Sequence, residues 1–197
     1  MKDTTKTRIL DCAKELFKEQ GYNTVSMRSI AETLGISVGN LTYHFKKKEE
    51  LIEALIFKDI QSYEDSLGKI QNISDLNAYF HHLLSVQSRL SFYFDSYSQL
   101  SQTSSVLREN QLQMMKNLKK TLSSGLDALH RNGLIRPEEY KDQYNDVIKI
   151  LVTLLLFRLT GEERRICKND SEKTVRTLWS FLHLYLTEEG AAQLKAL

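Results

Sequence analysis

The segment Ser26–Phe45, SMRSIAETLGISVGNLTYHF, determines the fold of the N-terminal part of this chain. On both sides of Gly35 its apolar residues recur at spacings of three and four, the period of an amphipathic helix. Gly35 has no Cβ that would obstruct a tight turn. The segment therefore predicts two short helices that are capped by Ser26 and Ser37 and joined at the glycine.

The spacing of the apolar residues indicates how these two helices pack. Ala31 is small enough to lie where the helices cross, and Leu41 turns an apolar side chain back toward the first helix. Phe45 follows four residues later on the same face. Three further residues complete the small core: Ile30, Leu34 and Ile36. This spacing is typical of a helix-turn-helix, although helix pairs around a glycine turn also occur in α-bundles that bind no DNA.

The outward face of the second helix is polar or small, which suits base edges and phosphates in a major groove. The candidate DNA-contacting residues on this face are Val38, Gly39, Asn40, Thr42, Tyr43 and His44. Arg28, Lys46 and Lys48 flank it and can neutralise phosphates. The amides at the helix N-termini add a further anion-binding element.

Positive charge is concentrated in this region. The net charge of the 197 residues is +2, whereas Tyr22–Lys48 contains four basic residues and one acidic residue, a local charge of +3. A run of lysines is most often a solvated face, so the charge alone is weak evidence for a nucleic-acid partner.

The first 51 residues resemble the N-terminal domain of TetR-family (tetracycline-repressor-like) transcriptional regulators. The matching stretches are RILDCAKELFKEQGYNTVSMRSIAETLGIS (8–37), VGNLTYHF (38–45) and KKKEEL (46–51). The resemblance implies that the second helix is the recognition helix and that Lys48 contacts phosphate. It also places Ser26 and Arg28 at the DNA backbone, and it places three residues at the groove: Asn40, Tyr43 and His44. The family usually has tyrosine in place of Thr42, so Thr42 either reads a base or reduces the number of phosphate contacts.

The rest of the chain predicts helices and no strand, because it contains one proline and eight glycines and keeps the three-and-four spacing almost throughout. The predicted helices span Thr5–Gln20, Lys47 to about Lys69, a ring-rich stretch from Ser74 or Asp75 toward Tyr97, Thr103–Arg131, Pro137 to about Thr160, and Ser171 to about Leu186. The predicted fold is all-α. A three-helix DNA-binding domain (1–50) precedes a larger helical ligand-binding and dimerisation domain (51–197).

Two late helices are apolar over more than one face, which requires cover on both sides. The candidate dimer-interface residues are Leu151, Leu154, Leu155, Leu178, Trp179, Leu182 and Tyr185. In TetR-like proteins the last two main helices form a four-helix bundle with their twofold mates, so the resemblance implies a homodimer. The alternative is that these residues belong to an ordinary monomer core.

The resemblance also implies a small-molecule pocket in the helices that follow the DNA-binding domain. Aromatic rings and thioethers make adaptable apolar walls. The candidate pocket residues are Tyr63, Phe80, His82, Phe92, Tyr93, Tyr97, Met114 and Met115. The alternative is that these side chains only pack the core, and nothing in their pattern identifies a ligand.

Several other classes of protein are disfavoured. We find no phosphate loop, nucleophile elbow or isolated carboxylate pair, so no enzyme is expected. The adjacent His81 and His82 point about 100° apart on a helix and lack a carboxylate or thiol partner one turn on, so neither a metal nor a cofactor is expected. The apolar run Val147–Phe157 is too short to span a membrane. Two distant cysteines and an N-terminus without an apolar signal segment favour the cytoplasm.

The sequence thus predicts a homodimeric transcriptional regulator that binds double-stranded DNA, most simply a repressor released by a small-molecule effector. Three alternatives remain open: a DNA-binding protein without an effector, an activator, and an α-helical enzyme whose N-terminal resemblance is incidental.

Overall fold

A computed structural model describes residues 4–64, 69–156 and 171–197, with side chains described except at residues 4, 57–64, 97 and 156. Within these ranges the predicted all-α fold is confirmed. The described helices are α1 (Thr4–Gln20), α2 (Met27–Leu34), α3 (Val38–His44), α4 (Lys48–Glu64), α5 (Ile73–Arg89), α6 (Ser91–Asp95), α7 (Tyr97–Thr103), α8 (Ser105–Arg131), α9 (Gln143–Leu156), α10 (Ser171–Leu182) and α11 (Glu188–Lys195). A short 3₁₀ turn, His183–Tyr185, follows α10.

The boundaries of α2 and α3 are set by local caps, as the sequence predicts. Ser26 Oγ accepts the amide N–H of Ser29 at 3.0 Å, and Ser37 Oγ accepts that of Asn40 at 3.1 Å. At the end of α2, Gly35 has a φ of +65°, and the amide of Ile36 reaches back to Ala31 O at 3.0 Å. This is the left-handed helix stop that a residue without Cβ adopts at least cost.

The described residues divide into two compact units. The first combines residues 4–64 with residues 89–111. Its core contains the predicted helix-turn-helix residues Ile30, Ala31, Leu41 and Phe45, all buried. Phe17 of α1 packs against both Tyr22 and Phe92, with ring centroids 5.5 and 5.6 Å apart.

The second unit combines residues 69–88 with residues 112–156 and 171–197. Its core is formed by α5, α9, α10 and the later turns of α8. The strand-like segment after α8 pairs with the segment after α10 through one isolated antiparallel bridge, Ile135↔Leu186. The amide of Arg136 donates to Tyr185 O at 2.8 Å, and that of Thr187 to Leu134 O at 3.1 Å. The two segments hold the start of α11 against the end of α8.

Three details of the helix prediction are wrong. The helix predicted to start at Pro137 begins instead at Gln143, because Asp142 has a φ of +66° and Glu138 Oε1 caps the amide of Tyr144 at 2.7 Å. The ring-rich stretch is broken into α5, α6 and α7, and α11 was not predicted. The predicted end near Thr160 lies outside the described residues, as does Cys167. Cys12 is a free, half-buried thiol, and burial raises its pKa.

Candidate nucleic-acid interface

The exposed face of α3 matches the polar face predicted from the sequence. Leu41 has no exposed surface, whereas Tyr43 is 86% exposed. Val38, Gly39 and Asn40 are also exposed, while Thr42 and His44 are partly buried. The rings of Tyr43 and His44 stack edge to face, with centroids 5.3 Å apart. Buried Leu41 thus fixes α3, and the rings, the amide and the bare glycine backbone on its other side face away from the core.

Thr42 already uses its hydroxyl proton within α3. Its Oγ1 lies 3.0 Å from Val38 O and 3.1 Å from Gly39 O. A threonine that donates to the preceding turn retains lone pairs and a methyl group for an external partner. Thr42 can therefore accept a hydrogen bond or present its methyl group to an external partner.

The flanking cations lie in three different environments. Arg28 Nε donates to Glu32 Oε1 at 2.8 Å on the exposed side of α2. This hydrogen bond, together with the charge of the carboxylate, raises the pKa of Arg28. Lys46 is exposed, and its amide donates to Glu50 Oε2 at 2.8 Å, which caps the start of α4. Arg28 and Lys46 thus keep cationic groups in solvent beside α3.

Lys48 instead points toward its own protein. Its Nζ donates to Tyr22 O at 2.7 Å and to Val25 O at 2.8 Å. The ammonium also lies 4.1 Å from the centroid of the Tyr22 ring. Burial lowers the pKa of Lys48, and the Glu49 carboxylate partly offsets that effect. The Tyr22 hydroxyl donates to Glu49 Oε1 at 3.1 Å, and burial together with that carboxylate raises the pKa of Tyr22.

The predicted pocket residues are divided between the two units. Phe92 and Tyr93 are buried in the first unit, where Phe92 packs on Phe17. Four others belong to the second unit: Phe80, His82, Met114 and Met115. Phe80 is fully buried against Trp179, and His82, Met114 and Met115 are partly buried. The side chains of Tyr63 and Tyr97 lie outside the described part of the structure.

Most of the predicted dimer-interface residues lie in the core of their own chain. Leu151, Leu155, Leu178, Trp179 and Leu182 are buried within the second unit. Leu154 and Tyr185 are only partly buried. Trp179 Nε1 also donates to Asn77 Oδ1 of α5 at 2.8 Å, so its polar edge already has a partner.

Two exposed apolar residues on the outward sides of these helices are not among the predicted interface residues. Ile150 on α9 is 43% exposed, and Leu184 in the 3₁₀ turn is 64% exposed. The helical period could have indicated the outward position of Ile150. The buried residues of α9 include Val147, Ile148, Leu151 and Val152, and Ile150 lies on the other side of the helix.

Two classes of site are absent from the part of the chain that the structure describes. No group of three or more His, Cys, Asp or Glu side chains there is arranged to hold a metal ion. Among the same residues, no helix is both long enough and apolar enough to cross a membrane.

Family models match nearly the whole chain. Residues 9–55 match the model of bacterial regulatory proteins of the tetR family, and residues 58–194 match the TetR model described as a bacterial transcriptional repressor. The second match alone covers well over half of the chain. The protein belongs to the TetR family of bacterial regulatory proteins.

Individual relatives are similar in different parts of the chain. The HTH-type transcriptional regulator UidR of Escherichia coli K12 is 47% identical over 55 residues, which is 28% of this chain and 28% of UidR. The matched region thus spans less than a third of that relative. A TetR-family regulator from Marinobacter aquaeolei VT8 has the same fold over 98% of this chain and 96% of its own, with a TM-score of 0.82 and 20% identity. A transcriptional regulator from Saccharomonospora viridis, solved with choline, covers 93% of this chain and 98% of its own, with a TM-score of 0.66 and 17% identity.

Proposed function

We propose that the protein is a homodimeric, ligand-responsive repressor that binds a palindromic operator and catalyses no reaction. The observation that carries the DNA-binding part is the geometry of α3, where buried Leu41 fixes the helix and Asn40 and Tyr43 remain exposed. We retain residues 1–50 as the DNA-binding domain and residues 51–197 as the ligand-binding and dimerisation domain.

The proposed contacts divide by chemistry. Asn40, Tyr43 and His44 face base edges, where an amide makes a bidentate contact with adenine and rings contact apolar base surfaces. Ser26, Arg28, Lys46 and Lys48 face the phosphates. The remaining positions on the face are Val38, Gly39 and Thr42, which approach the bases closely because they are small.

Selection of bound sequences from random duplex DNA tests this assignment. We expect a palindrome with half-sites about one helical turn, roughly 34 Å, apart. The variant Asn40→Ala should change the preferred base at one position in each half-site. Binding without any sequence preference, or an unchanged preference in Asn40→Ala, would contradict the proposal.

A second copy of the chain is the proposed cover for the outward faces of α9 and α10. Ile150 and Leu184 supply apolar surface there. On the same outward faces, three hydroxyl groups donate to carbonyl oxygens of their own helices: Thr153 to Lys149 at 2.8 Å, Thr177 to Lys173 at 2.9 Å and Ser180 to Arg176 at 2.8 Å. A hydroxyl with an internal acceptor can be buried without losing its hydrogen bond. These faces are therefore inexpensive to desolvate.

The proposed regulation is a shift between two spacings of the DNA-binding domains in the dimer. An effector that binds better to the spacing that does not fit the operator lowers operator affinity by that difference in binding free energy. Trp179 is the chain's single tryptophan and packs on Phe80 of the proposed pocket, so its emission reports binding there. Choline and apolar aromatic compounds are suitable first probes. A compound that shifts the emission should also release the operator.

A further inference from the structure

The side chain of Lys48 is held by the loop that joins α1 to α2. Its ammonium donates to the carbonyl oxygens of Tyr22 and Val25 at 2.7 and 2.8 Å. The same nitrogen lies over the Tyr22 ring, 4.1 Å from its centroid. The neighbouring Lys46 and Lys47 are exposed, whereas Lys48 is partly buried. Lys48 is therefore ordered before any external partner binds.

These contacts leave one N–H bond of the ammonium available. An ammonium has three N–H donors, and the loop carbonyl groups take two of them. Because the three N–H bonds keep fixed angles to one another, two hydrogen bonds also fix the direction of the third. The attraction between a cation and the face of a ring depends on the charge and uses no particular N–H bond.

The Tyr22 ring is itself held in place by the core of the first unit. Tyr22 is buried, and its ring packs edge to face on Phe17 with the centroids 5.5 Å apart. Phe17 packs in turn on Phe92 of α6 at 5.6 Å. At the other end of the ring, the Tyr22 hydroxyl donates to Glu49 Oε1 at 3.1 Å. A buried ring that is hydrogen-bonded at its tip gives the ammonium above it a fixed support.

A lysine that is ordered in advance contacts a phosphate with a smaller loss of conformational freedom. An exposed lysine must give up the rotamers of its long side chain when it makes this contact. Lys48 has lost that freedom on folding, whereas Lys46 keeps its side chain in solvent. Partial burial adds to the effect, because charges attract more strongly where water is partly excluded.

We propose that Tyr22 is a positioning residue for DNA binding: its ring and its carbonyl oxygen hold the Lys48 ammonium so that the third N–H is directed at a phosphate. This role rests on the DNA binding proposed above. To the phosphate contact of Lys48 it adds the residue that prepares the contact.

The first test is the NMR spectrum of the free protein. The ε-methylene protons of Lys48 should lie upfield of those of exposed Lys47, because the face of an aromatic ring shields the nuclei above it. The shift should persist in Tyr22→Phe, which keeps the ring, and disappear in Tyr22→Leu, which removes it. A native shift in Tyr22→Leu would overturn the proposal, since the ring would then not hold the ammonium.

The second test is a double-mutant cycle on operator affinity. Tyr22→Leu should bind the selected operator about tenfold more weakly than the native protein, whereas Tyr22→Phe should stay within about threefold of it. In a Lys48→Met background the same Tyr22→Leu change should cost less than about twofold, because the residue through which Tyr22 acts is gone. Equal losses in the two backgrounds would show that Tyr22 supports only the fold.

The matched control is Phe94→Leu, which removes another buried ring of the first unit. Phe94 packs on Tyr93 of α6, so any affinity lost in this variant should be the same with and without Lys48. All affinities are measured at a temperature at which circular dichroism shows every variant folded. If Tyr22→Leu does not fold, Tyr22→Met, which fills more of the buried volume, supplies both readouts.

The third test compares the salt dependence of Lys48 and Lys46 variants. Each lysine that neutralises a phosphate contributes about 0.9 to the slope of log K against log salt, so Lys46→Met and Lys48→Met should each lower the slope by that amount. Lys48→Met should lose about fivefold more affinity than Lys46→Met, because it removes the cation that is ordered in advance. An unchanged slope in Lys48→Met would remove the phosphate contact and, with it, the role of Tyr22.

The outcomes separate this proposal from the proposed function. If the native protein binds the operator and the cycle is additive, the proposed function stands and the role of Tyr22 is wrong. If the native protein binds no DNA, the proposed function fails and the phosphate contact with it. The NMR shift then still decides whether Tyr22 holds Lys48.

Discussion

Gly39 occupies an exposed position of α3 that the free protein does not need as glycine. A Cβ built there would meet only Ser37 Oγ, at 3.8 Å. Alanine in a helix is more stable than glycine by about 0.5–1 kcal/mol. The proposed DNA complex accounts for a glycine here, because a residue without Cβ lets the bases approach the backbone closely.

Gly39→Ala should therefore separate stability from binding. We expect the free energy of unfolding to rise by about 0.5–1 kcal/mol in urea titrations. Operator affinity should fall by roughly tenfold, because the new methyl group occupies space next to the bases. An equally stable or more stable variant that binds the operator as well as the native protein would show that Gly39 is not at the DNA surface.

Glu32 is predicted to weaken DNA binding through its pairing with Arg28. Its carboxylate accepts a hydrogen bond from Arg28 Nε at 2.8 Å. The negative charge of the carboxylate lies on the side of α2 that is proposed to face phosphates. Glu32→Gln should therefore bind the operator about two- to fivefold more tightly at low salt, and the gain should fade as salt screens the charge. The matched control is Glu15→Gln on α1, whose exposed carboxylate lies 3.9 Å from Lys18. An equal gain in both variants would indicate a general charge effect.

At the scale of helices, the sequence predicts best those whose ends are set by neighbouring residues. The caps at Ser26 and Ser37 and the turn at Gly35 are local, and both short helices are where we expected them. The start of α9 depends on Asp142, a non-glycine residue with positive φ, and no pattern marks that conformation. The position of α11 depends on the bridge between Ile135 and Leu186, which are 51 residues apart. Pairing over such a distance leaves no periodic signal.

The docking of α11 depends on the absence of a side chain at Gly190. A Cβ at this position would overlap the carbonyl oxygen of Leu134, a backbone atom that the bridge holds in place. Gly190→Ala should lower the free energy of unfolding by roughly 2–3 kcal/mol, since overpacking against backbone cannot be relieved by a rotamer change. Urea titration followed by circular dichroism measures the decrease.

The control for Gly190→Ala is Ala192→Gly, an exposed change in the same helix. It should cost only about 0.5–1 kcal/mol, the intrinsic helix preference. Equal decreases in the two variants would mean that the contact with Leu134 O relaxes without cost.

At the scale of the whole molecule, the sequence could not predict which apolar residues of the late helices face outward. A helix that is apolar on two sides turns one side into the core of its own chain and the other side outward. The composition of the helix does not show which side is which. Leu178 and Trp179 lie inside the second unit, while Ile150 and Leu184 face outward. The same ambiguity affects the pocket candidates, because Phe92 packs on Phe17 within the first unit and Phe80 packs on Trp179 within the second. Only the fold decides which apolar residues are available to a second copy or to an effector.

Ile150→Glu should convert the proposed dimer into a folded monomer. A carboxylate at the centre of a desolvated helix pair lacks a partner, which disfavours association far more than it disturbs a side chain already 43% exposed. Sedimentation velocity should show a single species near the 22.9 kDa of one chain. Because one helix-turn-helix reads only a half-site, affinity for the palindrome should fall by about a hundredfold or more, while affinity for an isolated half-site stays near the native value.

The control is Leu112→Glu, which introduces the same charge at an exposed apolar residue on α8 and should remain dimeric with unchanged Trp179 emission. A dimeric Ile150→Glu protein with native operator affinity would place the interface on another face of the molecule.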